Sequence, residues 1–380
     1  MGAYLDKPVT EKESESGQGN GLTFGATCMQ GWRVKQEDAH NCIIELNGDW
    51  SMFAVYDGHG GDEVSKYTAM KFPDFLKERE FWASDDLVPT LQQIFVDFDD
   101  VLRSDDVMRE LKVCSEDVPD REDDCDNSSD ECDRIQTIEE SAMPLEEILS
   151  RYVKVTALNR MNPSRCLQTL KSLTGKVFQG VGRFSKMVFC MEVAIPGGLE
   201  TPGEDSGTTA CVCLMNKERI VVANAGDSRA VLCRGGTAID LSMDHKPEDD
   251  IEKTRIINAG GFVNEDGRVN GGLNLSRAFG DHSYKKNADL PLRDQMITAL
   301  PDVKIETLQP SDEFLVIACD GIWNSLNSQQ VVDFIRDRLK QGKSCVDISS
   351  ELCDHCLAPT TAGDGTGCDN MTVIITTITH

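Results

Sequence analysis

The sequence has no run of 18 or more apolar residues, which excludes a membrane-spanning helix. Its first 25 residues are polar, with KPVTEKESESGQGNG and no apolar core of a secretory signal, so an intracellular protein, cytoplasmic and/or nuclear, is expected. Basic charge is scarce: 38 Lys and Arg against 65 Asp and Glu leave a net charge of −27. Phosphate backbones need Lys and Arg to neutralise them, so this deficit argues against nucleic acid as a partner and favours cationic partners or metal ions. Cysteine is not scarce, at 15, but the number is odd, the chain is long and no export signal accompanies it, which argues against a disulfide scaffold and for mostly reduced thiols. Cys211, Cys213 and Cys319 lie in strand-like apolar runs, where a thiol acts as a small hydrophobe. The group Cys353, His355, Cys356 lacks a second pair at finger spacing, which argues against a zinc finger.

Regular alternation of strands with helices is absent as well. Runs of strand length and composition occur at WSMFAVYD (50–57), TTACVCLM (208–215), RIVVANAGD (219–227), RAVLCR (229–234), EFLVIACD (313–320) and NMTVIITTI (370–378). Helical spacing marks roughly 62–78, 88–104, 248–259, 328–340 and 346–357. Because the strands of 208–234 come as a block, the pattern predicts antiparallel sheets with helices packed outside rather than a Rossmann sheet. At 380 residues the chain is long enough for two or three domains or for one large domain with an insertion.

Charge is distributed unevenly. Residues 114–147 carry fourteen acidic side chains against two arginines, and 151–191 carry eight Lys and Arg with no Asp or Glu. The acidic half holds too few apolar residues to fold alone. The pair reads either as a flexible insert whose halves partly neutralise each other or as a docking segment for a regulator or substrate.

Three strand-like runs adjoin an aspartate next to glycine or asparagine: AVYDGHGG with Asp57, VIACDGIWN with Asp320 and GCDNMTVII with Asp369. One such aspartate is ordinary capping of a strand end or turn. Three predict a sheet end that gathers carboxylates, and these repel one another unless a cation sits between them. Hard oxygen ligands on rigid strand ends suit Mg²⁺ or Mn²⁺. GWRVKQEDAH adds Arg33, shaped to grip a phosphate, with Glu37 and Asp38 placed to order metal-bound waters; alone, this spacing is also that of a surface ion pair.

GWRVKQEDAH, VYDGHGG, SGTTA, NAGDSRAVL, DHKPEDDIEKTRI, NAGG, GRVNGGLNLSRAFGD, ACDGIWN and GTGCDNMTVII occur in the order found in metal-dependent Ser/Thr protein phosphatases of type 2C. The resemblance covers about 22–105 and 205–378, and MGAYLDKP, APTTAGDGTGCDN and the acidic insertion are most similar to the gamma isoform, with a much shorter acidic region. It implies an α+β fold, a four-layer αββα sandwich of two antiparallel β-sheets flanked by helices, with a dimetal site at one end. It also implies hydrolysis of phosphoserine and phosphothreonine by a dimetal-activated water. Asp57, the Gly58 carbonyl, Asp320 and Asp369 would bind two Mg²⁺ or Mn²⁺ directly, and Glu37 and Asp38 through water. Arg33 would hold the phosphate and His59 act as general acid. Asp244 matches a ligand of a weaker third metal, although Asn324 stands where many relatives have an aspartate that helps bind it. A silent scaffold would be expected to lack one of these residues, and a nuclease would be expected to interleave basic with aromatic residues; neither pattern is present.

The expected organisation is a flexible arm at 1–21 and a single phosphatase domain at 22–378, interrupted by the insert at about 106–204. Expected partners are phosphorylated protein substrates, basic ones included, for a monomer without nucleic acid or transmembrane segment. Gly2 offers a weak lipid anchor, with Asp6 where Ser or Thr is wanted.

Overall fold

The structure, a computed structural model, describes residues 4–116 and 201–379; Gly2 and both charged halves of the insert beyond residue 116 lie outside the described residues. Two antiparallel sheets carry the fold. In the first, β1 (Tyr4–Gly19), β2 (Leu22–Arg33), β14 (Met371–Ile378), β13 (Asp312–Ala318), β9 (Arg229–Arg234) and β10 (Thr237–Asp240) lie side by side in that order. In the second the order is β12 (Asp302–Thr307), β8 (Arg219–Ala225), β7 (Ala210–Met215), β4 (Trp50–Tyr56) and β3 (Ala39–Asn47). A small third sheet joins β11 (Phe279–Gly280), β6 (Gly207–Thr208) and β5 (Gly58–His59).

Strand periodicity sorts the side chains into layers. In β4, Phe53 and Val55 enter the core between the sheets, while Met52, Ala54 and Tyr56 face outward. In β13, Leu315 and Ile317 point inward and Phe314, Val316 and Ala318 outward. Both faces are buried, so the strands read as continuous apolar runs rather than as alternation. Over the outer face of the second sheet pack α1 (Glu63–Glu78), α2 (Leu87–Leu102) and α3 (Asp105–Glu116), where Phe72 meets Phe95, Phe98 and Phe279 at ring-centroid separations of 5.2, 4.9 and 5.6 Å. The outer face of the first sheet is covered by α6 (Ser328–Lys340) and α7 (Cys345–Cys356). Cys353 and Cys356 are buried in that outer layer as apolar contacts. Between β10 and β11 the chain forms α4 (Asp250–Asn258), and a one-turn helix, α5 (Asp320–Trp323), follows β13. The αββα sandwich is thus present.

Two boundaries differ from the sequence reading. Residues 4–19 are the edge strand β1 rather than a flexible arm. The Asn20–Gly21 pair, with φ of 53° and 79°, closes a two-residue hairpin between Gly19 and Leu22, the turn for which Asn-Gly is the strongest short signal. Polar composition suggested an arm, and the ladder onto β2 overrides it. The insert also does not begin at 106: α3 covers that position and buries Val107 and Leu111, and Gly203 returns close to Met108 and Leu111.

Removing residues 2–19 should therefore lower the unfolding midpoint by on the order of 5 °C or more, because β2 loses its outer ladder. A thermal scan of the truncated chain unchanged within a degree would show that β1 contributes nothing to the sheet.

Candidate metal centre

Antiparallel register places the ends of six strands at one end of the sandwich. Val55 pairs with Cys211, Ala210 with Ala225, Ala318 with Val373 and Met29 with Met371. The residues just beyond those pairs, Asp57, Asp227, Asp320, Asp369 and Arg33, therefore share that end. The ligand oxygens of Asp57, Asp227 and Asp320 lie within 4.8 Å of one another, as do the ligand atoms of Asp38, Asp57 and Cys319.

Electrostatically this cluster is unbalanced. Loss of hydration, then repulsion from Asp38, Asp320, Asp369 and Asp227, raises the Asp57 pKa well above the ordinary carboxylate range. Loss of hydration and the charges of Asp227 and Asp369 push Asp320 up to about 8. Asp38 is pushed up to about 7 by burial and the charge of Asp369, against the hydrogen bond from Thr372 Oγ1 at 2.6 Å. Two local cations answer part of this charge: Lys246 Nζ lies 2.5 Å from Asp227 Oδ2, and Arg33 Nη2 lies 2.5 Å from Asp369 Oδ2. Buried Asp38 Oδ1 and Arg33 Nε have no hydrogen-bond partner among the described residues. Oxygen donors with surplus negative charge and an orphaned carboxylate oxygen fit hard divalent cations.

The backbone around the cluster is held closely. Asn370, next to Asp369, accepts from Glu37 N at 3.0 Å and donates through Nδ2 to the carbonyls of Gln30 and Lys35 at 2.8 and 3.0 Å, which ties the loop carrying Glu37 and Asp38 to the start of β14. A Cβ on Gly58 would stand 2.1 Å from the Glu37 carbonyl, so only glycine permits this approach. Loss of hydration raises the pKa of Glu37, opposed by the charges of His59 and Arg33.

His59 Nε2 lies 2.8 Å from Asp281 Oδ2. Loss of hydration works against a charged ring there, but Asp281 overrides it and the His59 pKa rises. Asp99 in α2 accepts from Gly280 N at 2.9 Å and from Lys285 Nζ at 2.8 Å, fixing the segment that presents Asp281. Asp244 is placed differently: both its oxygens accept from Arg229, at 2.8 and 2.7 Å. Asn324 donates to Asp320 Oδ2 at 3.0 Å and adds no charge.

Asp227, Asn370 and Asp281 were missed as site residues in the sequence. Asp227 had a signal, since RIVVANAGD also ends a strand-like run with a glycine and an aspartate. Asp281 follows a two-residue strand too short to register, and Asn370 acts through loop carbonyls that no spacing reveals.

A family profile described as Protein phosphatase 2C matches residues 22–118 and 198–365. The chain is 47% identical to Protein phosphatase ppm-1.G of Caenorhabditis elegans, over 99% of each chain. It is 38% identical to Protein phosphatase 1G of Homo sapiens, over 99% of this chain and 92% of that one. Among solved structures it resembles a phosphatase from Toxoplasma gondii, with a TM-score of 0.59 and 21% identity over 97% of this chain and 96% of that one. A serine-threonine phosphatase 2C from the same organism gives a TM-score of 0.55 at 17% identity over 99% and 98%. At such identities these two likenesses speak for the fold.

Unfolding returns Asp320 from about 8 to its ordinary 3.8, so the chelated protein should lose stability as pH rises from about 4 towards 8 through this group. Asp320→Asn should accordingly raise the unfolding midpoint of the chelated protein at pH 8, with a gain that shrinks towards pH 5. In Mn²⁺ the order should reverse. Thermal scans at the two pH values, with and without cation, check this; a gain in chelator independent of pH would refute the electrostatic account.

Proposed function

The chain belongs to the protein phosphatase 2C family of metal-dependent protein serine/threonine phosphatases, and from that premise we propose how its residues divide the hydrolysis of phosphoserine and phosphothreonine. Two Mg²⁺ or Mn²⁺ ions, held directly by Asp57, the Gly58 carbonyl, Asp320 and Asp369 and through water by Glu37 and Asp38, would supply an activated water and neutralise phosphoryl charge. The observation that carries this reading is the convergence of Asp57, Asp227 and Asp320 within 4.8 Å where strands of both sheets end.

Arg33 grips the phosphate. Its Nε is buried without a partner among the described residues, and its Nη2 already rests on Asp369, so the guanidinium stands beside a proposed metal ligand with donors to spare. His59 protonates the departing serine or threonine oxygen. Asp281 raises its pKa and takes the Nε2 proton in a hydrogen bond, leaving the Nδ1 proton for transfer. Asp227 stays with Lys246 and sets the charge next to Asp57 and Asp320. A weaker third cation at Asp244 would compete with Arg229 for the same two oxygens, and so requires cation concentrations well above those that fill the cleft.

Asp57→Asn should abolish Mn²⁺-dependent turnover of a phosphopeptide. His59→Gln should cost about 10²–10⁴ in turnover on phosphoserine and much less on an aryl phosphate, whose leaving oxygen hardly needs a proton. Equal losses of the His59 variant on both substrates would refute the general-acid role, and activity of the Asp57 variant above about a tenth with cation bound would refute the ligand assignment.

The substrates of this enzyme are phosphorylated proteins, and we infer that the acidic half of the insert (114–147) steers basic ones to the cleft. The insert holds no residue assigned to the cations or to phosphate. Replacing 117–200 with a short Gly-Ser linker should leave turnover of a short phosphopeptide within a few-fold of the parent, since the chain returns at Gly203 beside α3. It should slow dephosphorylation of a basic phosphoprotein at low salt and matter little at high salt, where the Debye length falls to a few ångströms. Loss of peptide turnover would make the segment part of the catalytic fold.

A further inference from the structure

At one side of the sandwich the edge strands of the two sheets meet. β1 is the edge of the first sheet and β3 the edge of the second. Register fixes which of their side chains face the interior. Glu15 pairs with Ala26, whose methyl lies in the core between the sheets; His40 pairs with Val55 and Cys42 with Phe53, both in the same core. Three inward positions at the open edge are therefore Glu, His and Cys, where apolar residues would close the core at least cost.

These three side chains converge: their ligand atoms lie within 4.8 Å of one another. His40 Nε2 stands 3.0 Å from Glu15 Oε1, and the other ring nitrogen, Nδ1, lies 3.2 Å from the sulfur of buried Cys28 on β2. Cys28 thus fixes the ring with Nε2 turned to Glu15, as an outer partner of a metal-bound histidine does. The donors differ in kind from those of the cleft. One carboxylate, one imidazole and one thiol suit a borderline-soft ion of the zinc class, whereas the cleft offers mainly carboxylates. The Glu15 side chain is 49% exposed, so an ion has a path in and room for a water as fourth ligand.

We propose that Glu15, His40 and Cys42 form a second metal site, for Zn²⁺, that clips the edges of the two sheets together. It is separate from the cleft in its donors, yet joined to it by one chain of contacts: Cys28 receives the Thr372 hydroxyl at 3.4 Å, and the same hydroxyl lies 2.6 Å from Asp38 Oδ2. The competing account is that Glu15 and His40 form an ion pair and nothing more.

Co²⁺, an absorbing stand-in for Zn²⁺, distinguishes the two accounts in the full-length chain. The parent should show a thiolate-to-cobalt charge-transfer band that Zn²⁺ abolishes. Cys42→Ser should lose the band, Glu15→Gln and Cys28→Ala should weaken cobalt binding about 10–100-fold, and Cys319→Ser, in the cleft, should keep the band. With the cleft already filled by saturating Mg²⁺, added Zn²⁺ should raise the unfolding midpoint of the parent and of Cys319→Ser further, and that of Cys42→Ser distinctly less. Glu15→Gln, at a half-exposed position, keeps the test valid if the cysteine variants fail to fold. A parent without the band, a band that persists in Cys42→Ser, or unaltered cobalt affinity in Glu15→Gln would overturn the proposal.

Discussion

Carboxylates held together against their own repulsion are the constraint on which the rest of this structure depends. Unit charges 4–5 Å apart at an effective dielectric near 20 repel by about 3–4 kcal/mol per pair, so a flexible scaffold would let Asp57, Asp227 and Asp320 drift apart. What prevents this is that each follows a strand paired on both sides, in a sheet buried on both faces. Lys246 and Arg33 reduce the charge without cancelling it, and the remainder suits a divalent cation. The loop bearing Glu37 and Asp38 has no sheet of its own, and the Asn370 amide supplies the missing rigidity through three hydrogen bonds.

The same demand explains the layered architecture. Strands buried on one face alone would present their ends on a surface open to water, where the charges would be screened and the cation would gain little from them. Helices over both outer faces let the strands be apolar on both sides, and the phenylalanines around Phe72 tie α1 and α2 to the β11 segment that carries Asp281 to His59. Packing far from the cleft thereby helps to place the carboxylate that raises the pKa of His59.

Much of this was legible in the sequence because strand ends are marked chemically: apolar runs stopping at Asp57 and Asp320, or starting after Asp369, announce both the strand and the carboxylate at its end. The helices at 63–78, 328–340 and 345–356 were legible for the same reason, that one repeat of apolar residues needs one face. What stayed hidden depends on pairing across long separations. Residues 4–19 look disordered by composition, and only the partner strand 22–33 makes them a strand, although Asn20–Gly21 marks the turn. The short helix at 105–116 merged with the charged run that follows it, yet Val107 and Leu111 are core. The bidentate hold of Arg229 on Asp244 is a contact between neighbouring segments that spacing does not encode.

The long hairpin made by β1 has a meaning for the molecule among its neighbours. A sixteen-residue strand at the rim of a six-stranded sheet offers an unpaired ladder to any other chain that can extend beside it. Here that rim carries Asp6, Lys7, Glu11, Lys12, Glu13 and Glu15, and its register onto β2 shifts between Tyr4 and Val9 and again between Val9 and Lys12. An incoming strand would meet mixed charge and a broken ladder, so the sheet that anchors half of the cleft ends in a border that resists aggregation.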